Sequence, residues 1–247
     1  SAGKNAGDIS QLDIEGALRF NNKLSLLTLT ATNLKKILEH GVAATTSGAT
    51  PGQFPQVAGL KFSFDASANS NNKVKNIALI DSNGNITEII VADGQIIGNP
   101  NRTFRVVTLD FLAGGGDNYP FNTLATSRMN LDTATAIKNA VSTASFSGVG
   151  TEQDAFAEFM KAKYSSNAYN QVEDTITFDQ RIQQIVYRTD SVLLCSKPKN
   201  PRHVELTSSL VTCASETNLI SKNNAKSYSF RNWSNGELSN STKVSNS

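Results

Sequence analysis

The order of elements predicts a mixed α and β fold with antiparallel strand pairs, and three observations carry that prediction. Short β-prone runs and amphipathic helices follow one another as strand, helix, strand, hairpin, strand, helix. Asn83-Gly84 stands between two apolar runs, a hairpin signal and therefore an antiparallel pair. Paired strands joined this way are not βαβ units, which sets aside a dinucleotide-binding oxidoreductase.

Residues 1–10 are small and polar and read as a loop. Leu24 to Thr30 reads as a buried strand. Thr32 to Gly41 reads as a helix, with Thr30 or Thr32 as cap, Leu34, Ile37 and Leu38 as its apolar stripe, and Gly41 as its end. His40 falls in the last turn, where an imidazole suits the helix dipole, a structural role. Residues 43–52 form a Gly, Ser, Thr and Pro loop. Leu60, Phe62 and Phe64 alternate with polar residues, so that strand is expected to bury one face. Val74 to Ile80 and Ile86 to Val91 are the two arms of the Asn83-Gly84 hairpin, which ends at Asp93-Gly94. A short helix is expected around 134–141. Thr151 and Asp154 resemble a capping box for a helix whose buried stripe is Phe156, Phe159 and Met160, with Lys161 and Lys163 at its negative end. The chain from Ser191 onward is rich in Ser, Asn, Lys and Thr, and its last fifteen residues read as disordered.

Composition narrows the function classes. The formal net charge is +2 and no basic cluster is long enough for a nucleic-acid track. No apolar run reaches the length of a membrane span. The chain starts Ser1-Ala-Gly-Lys-Asn without Met and is read as a fragment of a larger protein, so the lack of a signal peptide carries no information. Cys195 and Cys213 could pair in an oxidising compartment, but no Cys or His set lies at zinc spacing.

The chemistry concentrates in Phe104 to Phe121. A β-run breaks into Gly114-Gly115-Gly116-Asp117-Asn118, with Phe111 three residues ahead of the glycines. Glycines admit backbone angles closed to other residues and close approach to the main chain. Asp117 is an acceptor suited to paired sugar hydroxyls. An aromatic face, a glycine loop and a carboxylate are what a nucleoside needs; the same residues also fit a strand with a core phenylalanine ending in a surface turn. The loop has no Gly-Lys-Ser/Thr ending and no third glycine at dinucleotide spacing, so it is neither a Walker nor a Rossmann turn.

Asp110-Phe-Leu-Ala-Gly-Gly-Gly-Asp-Asn-Tyr119 resembles the signature of the C-terminal, substrate-binding domain of the 5'-nucleotidase / UDP-sugar hydrolase family, with Asn118 where the family usually has Gly. Other blocks are similar in the same order. Leu18-Arg-Phe-Asn-Asn22 matches Leu-x-Phe-x-Asn, with Arg19 for the usual Pro. Leu34 to Val42 matches the Leu-Glu-His-Gly-Val helix, and Gly52 to Phe62 matches the Phe-Pro-Gln-Val strand. Gly150 to Lys163 and Asp179-Gln-Arg-Ile182, the closing strand, follow, so the resemblance spans residues 12 to 185.

The resemblance implies a four-layer α/β/β/α sandwich with largely antiparallel sheets. It implies a domain over residues 1–190 and a C-terminal extension over 191–247. It also implies that Phe20 and Phe111 sandwich a nucleobase, that Asp117 binds the ribose, and that Gly114, Gly115 and Gly116 shape the site, with Tyr119 as structural support. The implied activity of the whole protein is phosphate-ester hydrolysis of nucleotides by a secreted enzyme, periplasmic, at the cell surface or extracellular. The implied cofactors are two divalent metal ions in an N-terminal metallophosphoesterase domain, the partner of this domain in the same chain. The family's first strand and Asn-Gly-Gly-x-Arg segment would precede residue 12, so the fragment alone is expected to be less stable than the parent domain and to lack activity. His40 and His203 are too few for a dinuclear centre, so no catalytic or metal residue is assigned here. The alternative reading is a non-catalytic nucleoside-binding or cell-surface interaction domain.

Overall fold

Thr30 ends one strand and starts one helix, and the two cores are built around that junction. The computed structural model describes residues 7–46, 51–133, 144–166, 168–169 and 179–194, together with the backbone of four two-residue strands beyond them. The first half contains α1 (Gln11–Ala17), β1 (Leu24–Thr30), α2 (Ala31–Val42), β2 (Leu60–Phe64), β3 (Val74–Ile80), β4 (Ile86–Ala92) and β5 (Gln95–Ile96). Then come β6 (Thr103–Leu109), α3 (Asp110–Ala113), a 3-10 turn (Gly116–Asn118), α4 (Phe121–Leu124), β7 (Ser127–Asn130), α5 (Glu152–Tyr164) and β8 (Ile182–Gln184).

The class is mixed α and β, and every strand pair but one is antiparallel among the described residues. β1 is the middle of a three-stranded sheet in the order β6-β1-β7. Its alternate side chains Ser25, Leu27 and Leu29 are buried, as a strand covered on one face requires. The second sheet runs β5-β4-β3-β2-β8, with β8 parallel to β2.

Helix α2 serves both sheets from adjoining stripes. Ala31, Leu38 and Val42 pack on the five-stranded sheet with Phe62, Phe64, Ile77 and Val91. Leu34 and Ile37 pack with Leu27 and Leu29 of the other sheet and with Ala113, Tyr119 and Phe121. Leu60 and Phe104 touch both cores. Thr30 is the cap, its side-chain oxygen accepting from the Asn33 N–H at 3.1 Å.

Three sequence expectations change, and the Asn83-Gly84 hairpin is borne out. Gly41 does not end α2, which continues to Val42. β2 buries both faces, because Lys61 and Ser63 lie under the 179–194 segment, where Asp190 accepts from Ser63 Oγ and Asn76 Nδ2. In the expected hairpin, β3 and β4 pair antiparallel across a five-residue connection that holds Asn83-Gly84 and whose Asp81 accepts from the Asn83 and Asn85 N–H groups, and Asp93-Gly94, both at positive φ, make the next, tighter turn. The stripe expected on α5 is not core. Gln153 and Asp154 are its buried residues, and Phe159 is 49% exposed and packs edge-on against Tyr164, which meets Tyr169. The helix is anchored through its first turn at the end of α1, where Gln153 Nε2 donates to the Leu18 carbonyl, and Phe159 and Tyr164 pack on each other.

The fold continues past residue 190: Val192 and Leu193 are buried against Ala78, Ile86 and Ile89. Farther on, Ser229–Phe230 (β9) pairs with Thr242–Lys243 (β12), and Trp233–Ser234 (β10) with Glu237–Leu238 (β11). The helix expected around 134–141, Cys195, Cys213, His203 and most of the tail expected to be disordered lie outside the described residues. Among the described residues, no helix is long and apolar enough to cross a membrane.

Candidate functional site

The glycine loop is a strand end forced into a reversal and then pinned from below. β6 runs into the single turn of α3, and the Gly114 and Gly115 N–H groups return to Asp110 and Leu112 carbonyls at 2.9 Å. Gly115 takes φ 103°, and Asp117 and Asn118 follow at φ 51° and 59°. Asp and Asn tolerate the left-handed region better than other side chains, so the sequence after the glycines suits the turn. Gly116 answers a different need. The Phe111 ring lies over it, and a methyl group there would stand inside contact distance of three ring atoms.

Three residues of α2 and its surroundings hold this loop. His40 Nε2 lies 2.9 Å from the Asp117 carbonyl, an acceptor, so the bond takes an Nε2–H imidazole. The His40 ring meets Tyr119 edge-on with centroids 4.6 Å apart. Tyr119 is buried, stacks on Phe121 and donates its hydroxyl to the Gln53 carbonyl at 2.7 Å. Burial, with the Asp117 charge adding to it, pushes the Tyr119 hydroxyl up to about 12. Gly41 lets this happen: a Cβ there would fall 2.7 Å from the Tyr119 hydroxyl and 2.8 Å from Pro55 Cδ. One residue earlier, the buried Glu39 accepts from the Lys73 and Val74 N–H groups at 3.0 Å and pairs with Lys35, tying α2 to the head of β3. In Glu39-His40-Gly41, then, the residues serve β3, the loop and Tyr119 in turn.

Both phenylalanines singled out in the sequence are on the surface, Phe20 at 84% exposure and Phe111 at 52%, so neither is a core aromatic. Among the described residues their rings do not touch each other. Phe20 stands on the turn after α1, where the Leu18 carbonyl accepts from Gln153 Nε2 at 2.9 Å and Asn21 takes φ 46°. A cleft of about 380 Å³ runs beside it, lined by Arg19, Phe20, Asn22, Leu109 and Glu152 among others. Leu109 is the residue before α3, so the cleft wall leads to the Phe111 turn. Asp117 is exposed at the tip of the loop, and Gly114 to Gly116 lie between it and Phe111.

Comparison with known proteins matches this chain, over residues 1–126, to the sequence model described as 5'-nucleotidase, C-terminal domain. The chain belongs to this family. "Protein 5NUC" of Lutzomyia longipalpis is 32% identical over 114 residues, which cover 46% of this chain and 19% of that protein. The "Trifunctional nucleotide phosphoesterase protein YfkN" of Bacillus subtilis is 31% identical over 118 residues, 48% of this chain and 7% of that protein. The matched region is thus a small part of either relative. The crystal structure of a 5'-nucleotidase precursor from Thermus thermophilus superposes with a TM-score of 0.50 at 21% identity, covering 71% of this chain and 28% of that one. The fold is therefore of the 5'-nucleotidase C-terminal domain type.

Among the described residues, no group of three or more His, Cys, Asp or Glu side chains comes together in a way that could hold a metal ion. Sequence reasoning misses His40 as the loop's support and Glu152 as a wall of the Phe20 cleft. The Leu-Glu-His-Gly-Val block flagged the first only as a helix. Nothing in the sequence links Glu152 to a turn so far upstream.

Proposed function

We propose that this domain holds the nucleoside half of a nucleotide for a 5'-nucleotidase-type phosphoesterase. The base stacks on Phe20 and Phe111, and the ribose hydroxyls donate to the Asp117 carboxylate. The supporting observation is the exposure of both phenylalanine rings, Phe20 in a cleft whose wall includes Leu109 and Phe111 two residues farther on, on a loop that carries the Asp117 carboxylate and is pinned by His40 and Tyr119. Stacking on an aromatic ring contributes roughly 1–3 kcal/mol per base and tolerates different bases, so the platform fixes the nucleoside without choosing it. Gly114, Gly115 and Gly116 keep the Phe111 ring and the carboxylate at a short, fixed separation along the chain.

On this reading the divalent metal ions belong to an N-terminal metallophosphoesterase domain of the same polypeptide, and the protein acts outside the cytoplasm, in the periplasm, at the cell surface or extracellularly. This chain then binds and does not hydrolyse. The test is calorimetric titration of adenosine into the chain and into Phe111→Ala. Millimolar or tighter binding, lost in the variant, is the expected result. Binding that survives in the variant refutes the platform. Nucleotide hydrolysis by the repurified, chelator-treated chain refutes the division of labour.

A further inference from the structure

The wall of the Phe20 cleft contains two residues that clamp each other. The Asn22 backbone N–H donates to Glu152 Oε1 at 2.8 Å, and the Asn22 side-chain amide donates to the same oxygen at 3.2 Å. The Glu152 backbone N–H returns a bond to the Asn22 carbonyl at 2.9 Å. A carboxylate only accepts, so the amide nitrogen of Asn22 is the atom turned toward it, and Asn22 Oδ1 has no hydrogen-bond partner among the described residues. Glu152 Oε2 is equally without a hydrogen-bond partner among the described residues. Arg19, exposed on the cleft rim, makes no ion pair there among the described residues and so occupies neither oxygen. The fixed polar groups of this wall are acceptors held in place by their own clamp.

We infer that Glu152 and Asn22 select nucleobases that present an exocyclic amine to the cleft beside Phe20. The inference rests on the reading that the base binds at Phe20. Cytosine and adenine offer an amino group at the ring edge. Uracil offers a carbonyl oxygen at the corresponding position, and unsubstituted purine offers a carbon, and neither can satisfy a carboxylate oxygen. The stacking rings do not discriminate within either pair, so any preference comes from the wall.

The experiment compares dissociation constants for cytidine against uridine and for adenosine against purine riboside, in the wild-type chain, Glu152→Gln and Phe111→Ala. In the wild type the amino-bearing nucleoside of each pair binds about tenfold tighter, the gain expected of a hydrogen bond to a charged acceptor. Glu152→Gln keeps an oxygen for Asn22 and turns the other position into a donor, so both ratios fall to about one or invert. Wild-type ratios of one, with all four nucleosides bound and all weakened by Phe111→Ala, overturn the selection and leave the platform standing. A wild-type preference that persists in Glu152→Gln overturns the assignment to Glu152. Failure of all four nucleosides to bind overturns both readings together. Should the variant not fold, the wild-type ratios alone decide.

Discussion

Replacing Gly41 by alanine tests the packing that supports the loop, because local and tertiary physics disagree on its sign. In a helix interior, glycine to alanine normally stabilises by about 1 kcal/mol. Here the added methyl would stand 2.7 Å from the Tyr119 hydroxyl and 2.8 Å from Pro55 Cδ. Tyr119 is 4% exposed and tied to Gln53, so it cannot swing into solvent. Overpacking of this kind costs about 1–3 kcal/mol, and losing the Tyr119 hydrogen bond adds about 1 kcal/mol. The net loss is about 2 kcal/mol, which for a domain of this size lowers Tm by roughly 4–8 °C. Differential scanning calorimetry reads it directly. Gly16→Ala in α1 is the control: a Cβ there meets nothing within 4 Å, so Tm should rise slightly. If Gly41→Ala melts at or above the wild type, the close approach of Tyr119 is refuted and the loop is supported in some other way.

Glu39→Gln should lower stability by about 2–4 kcal/mol in urea unfolding, since two buried N–H groups and Lys35 lose a charged acceptor; an unchanged midpoint would show that the carboxylate is dispensable. Tyr119 gives a pH dependence. Its folded value of about 12 lies above the ordinary 10, so the stability it contributes is complete below pH 10 and is lost as pH rises through 12. Alkaline unfolding followed by tyrosinate absorbance should therefore be less steep in Tyr119→Phe, and identical curves would count against the burial. Gly116→Ala should weaken adenosine binding severalfold with little change in Tm, because the half-exposed Phe111 ring can swing away from the new methyl. Equal affinities for variant and wild type would detach the ring from its glycine floor.

What the sequence makes legible is what short-range periodicity controls. Leu34, Ile37 and Leu38 mark the buried side of α2 because their spacing places them on one stripe, and the hairpin between β3 and β4 follows from turn chemistry. Phe20 and Phe111 look like core residues by type, and only the resemblance to nucleotidases moved them toward the surface, where the structure has them. The misses share one cause, a partner distant in sequence. Lys61 and Ser63 read as solvent-facing until the 179–194 segment covers them. Gly41 reads as a stop because glycine often ends helices, whereas its neighbour is Tyr119, from the loop after α3. Phe159 and Met160 have helical spacing, yet spacing cannot say whether a surface exists for them to cover.

The parallel pairing of β8 with β2 has a consequence for biosynthesis. Phe62, Ser63 and Phe64 leave the ribosome well before the strand that completes their edge, Ile182 to Gln184, which emerges only after every intervening residue has been added. At ordinary elongation rates that delay is on the order of ten seconds. Throughout it, an apolar strand presents unpaired N–H and C=O groups along one side, the geometry that recruits foreign strands. A nascent chain halted anywhere before Ile182, including at the end of the 126-residue stretch by which the family is recognised, is therefore expected to be a client for chaperones and a seed for aggregation.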